Sequence, residues 1–79
     1  MMTSEERRNK KDLWMAIFGA RLSRFMKEQG LSISDLSKET GISQQTIRKY
    51  LSGKTSPEAF NMYCIAKVLK ISFDDFWDL

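Results

Sequence analysis

Seventy-nine residues, 42% of them hydrophobic and with a formal net charge of +3, suit one domain with one modest core. A single cysteine (Cys64) and no histidine exclude a disulfide framework, leave no ligand set for a structural zinc site, and give no imidazole to activate a serine nucleophile. No stretch is apolar for long enough to cross a bilayer, and the polar start MMTSEERRNKK is no secretory signal, so a cytoplasmic, non-enzymatic protein without metal, cofactor or membrane partner is expected.

The charge is uneven. Residues 1–55 carry 11 Lys/Arg against 6 Asp/Glu, and residues 56–79 carry 2 against 4. This fits one surface turned toward an anionic partner, and equally fits ordinary solvated charge. The first predicted helix carries Leu13, Trp14, Ile17, Phe18, Leu22, Phe25 and Met26 at three- and four-residue spacing and stops at Gly30. Asp12 can cap it, and so can Ser4, with Glu5 and Glu6 well placed in the first turn. The expectation is a mobile basic arm to about Lys11 (residues 1–11, arm or helix extension) followed by the domain proper at 12–79. Gly19 weakens a continuous helix by about 1 kcal/mol without forbidding it.

A second helix fits 33–40, with Ser32 as cap, Asp35 as capping-box acid and Gly41 closing it; a third fits 44–52, from a Ser43 cap to Gly53. Ser56-Pro57-Glu58 reads as a cap with proline at the first helical position, opening a fourth helix that reaches about Lys70 and buries Phe60, Ile65, Ala66 and Leu69. A short fifth helix starts at Ser72, with Asp74 and Asp75 in its first turn. No stretch alternates well enough to be a strand, so the expected fold class is all-α with five helices.

Only Gly41-Ile42-Ser43 separates the second and third helices, too few residues for a relaxed antiparallel hairpin. A left-handed Gly41 would turn the chain sharply, and the two helices would share Leu36, Ile42, Ile47 and Leu51 as a small core, with Ser37 small at their close approach. Ile47, Tyr50 and Leu51 then point inward, leaving Gln44, Gln45, Arg48, Lys49 and Ser52 as an outward face without a carboxylate. Amides that read base edges and cations that neutralise phosphate are what a helix in a DNA major groove needs.

From the turn glycine onward, the elements Ser-Gln-Gln-Thr-Ile, Ser-Gly-Lys, Ser-Pro, Ile-Ala-Lys and Ile-Ser-Phe-Asp follow in an order and spacing that resembles the lambda-repressor-like (phage repressor/Cro-type, XRE) helix-turn-helix family over residues 17–78. The resemblance implies that the third helix enters the major groove, with Gln44, Gln45 and Arg48 or Lys49 toward base edges. Ser43, Thr46 and Ser52 are further DNA-binding candidates, and Ser32, Ser34, Lys54 and Thr55 would touch the backbone. It departs from the family at Ile33, where a phosphate-bonding glutamine is often found, and at Met26 and Leu51, where some relatives carry an arginine–glutamate pair. The run Arg7, Arg8, Lys10, Lys11 resembles basic arms of some members and reads equally as a solubilising tail.

What the resemblance implies is a sequence-specific double-stranded DNA binder, a Cro-like repressor of a phage or mobile element that occludes a promoter as a homodimer at least on DNA. The domain ends just after the fifth helix, so regulation through concentration, a partner or proteolysis is expected. The rival reading is a protein-interaction module, an antirepressor or antitoxin on the same fold. It draws on an excess of apolar groups near the chain ends: Leu13, Trp14, Phe73, Phe76 and Trp77 read mostly as core, but they exceed what a small domain can hide, and part of the set is equally open to a dimer surface.

Overall fold

The computed structural model describes residues 1–77; Asp78 and Leu79, the last two residues of the expected domain, lie outside the described residues. Four α-helices follow one another, α1 (Ser4–Gln29), α2 (Ile33–Thr40), α3 (Gln44–Leu51) and α4 (Ala59–Leu69), and a single 3-10 turn (Phe73–Phe76) closes the fold. No strand occurs among the described residues, and no helix among them is long and apolar enough to cross a membrane.

The segment expected to be a mobile arm is helical. Thr3 caps α1, its hydroxyl accepting from the Glu6 amide at 3.1 Å, and Glu5 and Glu6 lie in the first turn, where carboxylates oppose the helix dipole. The cap therefore falls one residue before the Ser4 alternative and nine before Asp12. Gly30 ends the helix in the left-handed region, at φ +67°, its amide donating to the carbonyls of Met26 and Lys27.

The second helix takes its expected bounds. The Ser32 hydroxyl accepts from the Asp35 amide and the Ser32 amide donates to the Asp35 carboxylate, both at 3.0 Å, which completes a capping box. The Ser32 amide, and after it the Ser32 hydroxyl, hold the Asp35 carboxyl below the usual carboxylate range. A lowered folded-state pKa stabilises fully above the unfolded pKa, and that contribution disappears as pH falls through the lowered value. Asp35→Ala is accordingly expected to melt below the parent at neutral pH, with the gap narrowing as pH drops below about 4; parallel thermal melts across an acid series check this.

Three C-terminal expectations are corrected. Helix α4 begins at Ala59, not at Pro57; Glu58 is its N-cap residue and makes no side-chain cap bond. Pro57 is buried, so it packs against the body instead of opening the helix. The later start goes with a different buried face, Met62, Ile65 and Leu69 at three- and four-residue spacing. Phe60 lies about 200° round the helix from Met62 and is 68% exposed, not buried as expected. The expected fifth α-helix is only one 3-10 turn. Lys70 ends α4 in a left-handed conformation (φ 58°), and Ser72 and Asp75 form a capping box around the next turn, which stops at Phe76. Burial of Phe76 and stacking of Trp77 anchor this turn, which is too short for a ladder of helical hydrogen bonds to do so.

The core draws on every element: Phe18, Leu22 and Met26 of α1, Leu36, Ile42, Ile47, Tyr50, then Met62, Ile65, Leu69 and Phe76. Phe18 is its centre, with the Phe76 ring 4.9 Å and the Tyr50 ring 5.9 Å from its own centroid, the latter edge-on. Trp14 and Trp77 stack at 4.3 Å on the margin of this cluster, which joins the two ends of the chain. Much of the terminal apolar excess is thus absorbed, Phe76 fully and the tryptophans in part; Leu13 and Phe73 stay exposed.

Candidate nucleic-acid interface

The turn between α2 and α3 is locked by its own side chains. Gly41 sits at φ +78° and its amide donates to the Ser37 carbonyl at 2.8 Å. The Ser37 hydroxyl donates to the Ile42 carbonyl at 2.6 Å, and the Thr40 hydroxyl accepts from the Ile42 amide at 3.2 Å while donating to the Leu36 carbonyl at 2.7 Å. Both polar backbone groups of Ile42 are satisfied, so its side chain can be buried between the helices without leaving a polar group unpaired. From the sequence Ser37 reads only as a small residue; in the structure its hydroxyl is one of the clamps.

Ser43 then restarts the chain as helix. Its hydroxyl accepts from the Thr46 amide at 3.1 Å and donates to the Thr46 hydroxyl at 2.9 Å, so both side chains are committed to capping α3. Ile47 and Tyr50 are buried and Leu51 is half-buried, which fixes the rotation of the helix. Opposite them, Gln44, Gln45, Arg48, Lys49 and Ser52 are all exposed. They form two rows at helical spacing. In one, the Arg48 guanidinium donates to the Gln44 side-chain oxygen at 3.3 Å; in the other, Gln45, Lys49 and Ser52 succeed one another, with the Ser52 hydroxyl donating to the Lys49 carbonyl at 3.0 Å. No acidic residue interrupts the helix, so the face is cationic and rich in amide donors and acceptors.

The end of α3 is pinned as firmly as its start. The Gly53 amide donates to the Tyr50 carbonyl at 3.1 Å and the Lys54 amide to the Lys49 carbonyl at 3.0 Å, with Gly53 at φ +72°. Lys54 is therefore held just beyond the helix end with its side chain exposed, and Thr55 beside it is half-buried. Ser32 and Ser34 lie in the first turn of α2, Ser32 exposed and engaged in its capping box, Ser34 half-buried.

The seating of α3 on α1 rests on a contact with no signature in the pattern of apolar residues. A Cβ at Gly19 would stand 2.5 Å from the Tyr50 carbonyl oxygen and 2.9 Å from that of Leu51. The last turn of α3 thus lies directly on the α1 backbone at the one α1 position without a side chain. Leu51 is half-buried beside this close backbone approach. On its far side, the Asn61 amide donates to the Tyr50 hydroxyl at 2.9 Å and ties α3 to α4.

Two short helices joined by a glycine turn, the second presenting an acid-free polar face, define a helix-turn-helix unit, and comparison with known proteins agrees. The helix-turn-helix family HTH_3 matches residues 22–76, and the chain belongs to this XRE-type family of transcription regulators. It is 33% identical over 58 residues, 73% of its own length and 83% of the relative's, to the SPbeta prophage-derived uncharacterized HTH-type transcriptional regulator YopO of Bacillus subtilis (strain 168). Its fold matches an HTH_3 family transcriptional regulator from Vibrio cholerae at TM-score 0.79 and 25% identity, over 85% of this chain but only 38% of that longer one. It also shares the fold of the restriction-modification controller protein C.AhdI from Aeromonas hydrophila, at TM-score 0.75 and 22% identity, over 78% of this chain and 94% of that one.

Proposed function

We propose that the protein is a sequence-specific double-stranded DNA-binding transcriptional regulator, a Cro-like repressor of a prophage or other mobile element, working in the cytoplasm. The observation that carries this reading is the outer face of α3. Gln44, Gln45, Arg48, Lys49 and Ser52 are exposed together on a helix without a carboxylate, and its capped N-terminus is fixed by the locked Gly41 turn. Gln44 and Gln45 face base edges, where an amide can donate and accept at once. Arg48, Lys49, Lys54 and Thr55, with Ser32 and Ser34 at the start of α2, hold backbone phosphates. Ser43 and Thr46 serve the site as its cap more than as free donors.

An eight-residue helix spans few base pairs, so useful affinity requires two copies on one two-fold site, with half-sites about 34 Å apart, and a promoter covered in this way is occluded. Footprinting on a bound duplex is expected to show two protected half-sites one helical turn apart. Saturation with a single protected half-site would refute the paired arrangement.

A second reading, a protein-interaction module of antirepressor or antitoxin type, is favoured by one observation. Phe60, Tyr63 and Phe73 are 68%, 57% and 50% exposed, more aromatic surface than a solitary domain of this size needs. Size-exclusion of the protein with a mixed duplex pool at low and high salt separates the readings. Co-elution that weakens with salt supports DNA; no co-elution at any salt supports the interaction module.

A further inference from the structure

Helix α3 is shaped by its own bonds and seated by contacts of another kind. The hydrogen bonds that end it, from Gly53 to Tyr50 and from Lys54 to Lys49, run within α3 and the loop that follows. They set the form of its last turn, not its place on the body. The side-chain bonds around Gly41 join the turn only to α2. Against α1 and α4 the seating is mostly apolar, through buried Ile47 and Tyr50 and the close approach at Gly19. Apolar burial is non-directional, so by itself it resists small rotations of a helix poorly.

One directional bond crosses this contact. The Asn61 side-chain amide donates to the Tyr50 hydroxyl at 2.9 Å, and among the described residues no other hydrogen bond joins α3 to α1 or α4. Tyr50 is 3% exposed; its ring packs edge-on against Phe18 and its carbonyl lies against Gly19. Asn61 is half-buried in the first turn of α4, about 40° round the helix from buried Ile65, where a short amide can reach inward. Both neighbouring helices therefore hold α3 at the same residue, and only α4 holds it by a bond with a preferred direction.

We infer that Asn61 is a positioning residue for sequence reading: through the Tyr50 hydroxyl it fixes the rotation of α3, and with it the aim of Gln44 and Gln45. The inference rests on the reading that α3 enters the major groove, and adds to it a residue on α4 that acts through another side chain. Reading a base edge with an amide needs placement to about 0.5 Å and 10–20°. A side-chain tip about 6 Å from the helix axis moves about 1 Å when the helix turns by about 10°. A lysine ammonium holds phosphate as a point charge on a flexible stem and follows such a shift. Loss of the Asn61–Tyr50 bond therefore falls on discrimination and spares sequence-independent affinity.

The test is the ratio of affinities for the duplex that the parent selects and for a scrambled duplex, across a salt series and well below each melting temperature. Tyr50→Phe removes the hydroxyl and keeps the ring; Asn61→Leu removes the donor and keeps the size. Each is expected to lower the ratio about two- to tenfold, with scrambled-duplex affinity and salt slope unchanged. The double variant is expected to lose no more than either single one, because both remove the same bond. Asn61→Asp, whose carboxylate can accept from the Tyr50 hydroxyl, is expected to restore the ratio. A bond that served stability alone would lower the melting temperature of the first two variants and leave the ratio at the parent's value, which overturns the inference. Additive losses in the double variant, or no recovery in Asn61→Asp, overturn it as well. So does weaker binding of both duplexes with a shallower salt slope in Asn61→Leu alone, by making Asn61 itself a phosphate contact. A parent that selects no sequence refutes the functional reading and the inference with it; the other outcomes leave that reading intact.

Discussion

Gly19→Ala is expected to destabilise the protein although it places a better helix former inside a helix. Helix propensity alone predicts a gain of about 1 kcal/mol. The added methyl would instead meet the carbonyl oxygens of Tyr50 and Leu51 at 2.5 and 2.9 Å, and both belong to backbone already held by the hydrogen bonds that end α3. A side chain can swing away from such a clash; a capped helix terminus can move only as a body. The net loss is expected to be about 1–3 kcal/mol, lowering the melting temperature by roughly 4–20 °C for a domain of this size. Gly19→Val, with its branch at the same point, is expected to lose more. Urea or thermal melts decide the sign, and a Gly19→Ala protein more stable than the parent would show that α3 does not lie on α1 as described.

The second large effect concerns binding. Gln44→Ala or Gln45→Ala is expected to cost about 1–3 kcal/mol on the cognate site, confined to one or two base positions, where other bases become tolerated. The contact between Arg48 and Gln44 makes the two glutamines unequal. Gln44 is partly occupied by its own helix, whereas Gln45 makes no hydrogen bond to another side chain among the described residues, so the larger loss is expected at Gln45. Lys54→Ala is expected to weaken cognate and scrambled duplex alike and to lower the salt slope by about one unit, because Lys54 stands beyond the helix end. Binding constants on both duplexes across a salt series distinguish loss of reading from loss of anchoring.

The helix-turn-helix unit was legible because its signals are local. Ser32 and Asp35, Gly41, Ser43 and Gly53 each act within five residues of chain, and each does in the structure what its residue type suggests. What escaped reading depends on partners distant in sequence or on small balances. Ser56-Pro57 has the form of a helix start, but the proline packs into the body, α4 begins two residues later, and Met62 takes the buried place assigned to Phe60. The first eight residues of α1 read from the sequence as a mobile arm, and the Thr3 cap makes them helix instead. Gly19 reads from sequence as a blemish in a helix; its use appears only once the carbonyls of α3 are set against it. Of the candidate site, the exposed face of α3 follows from helical periodicity, whereas the commitment of Ser43 and Thr46 to each other does not.

Selection of bound sequences from a random duplex library, run in parallel for the parent and Gln45→Ala, bears most directly on the central claim that the outer face of α3 reads DNA. The account predicts that the parent enriches a two-fold symmetric site with half-sites one helical turn apart, and that the variant enriches the same site with one or two symmetry-related positions relaxed. Enrichment of no common sequence by the parent, or of an unaltered site by the variant, would contradict it.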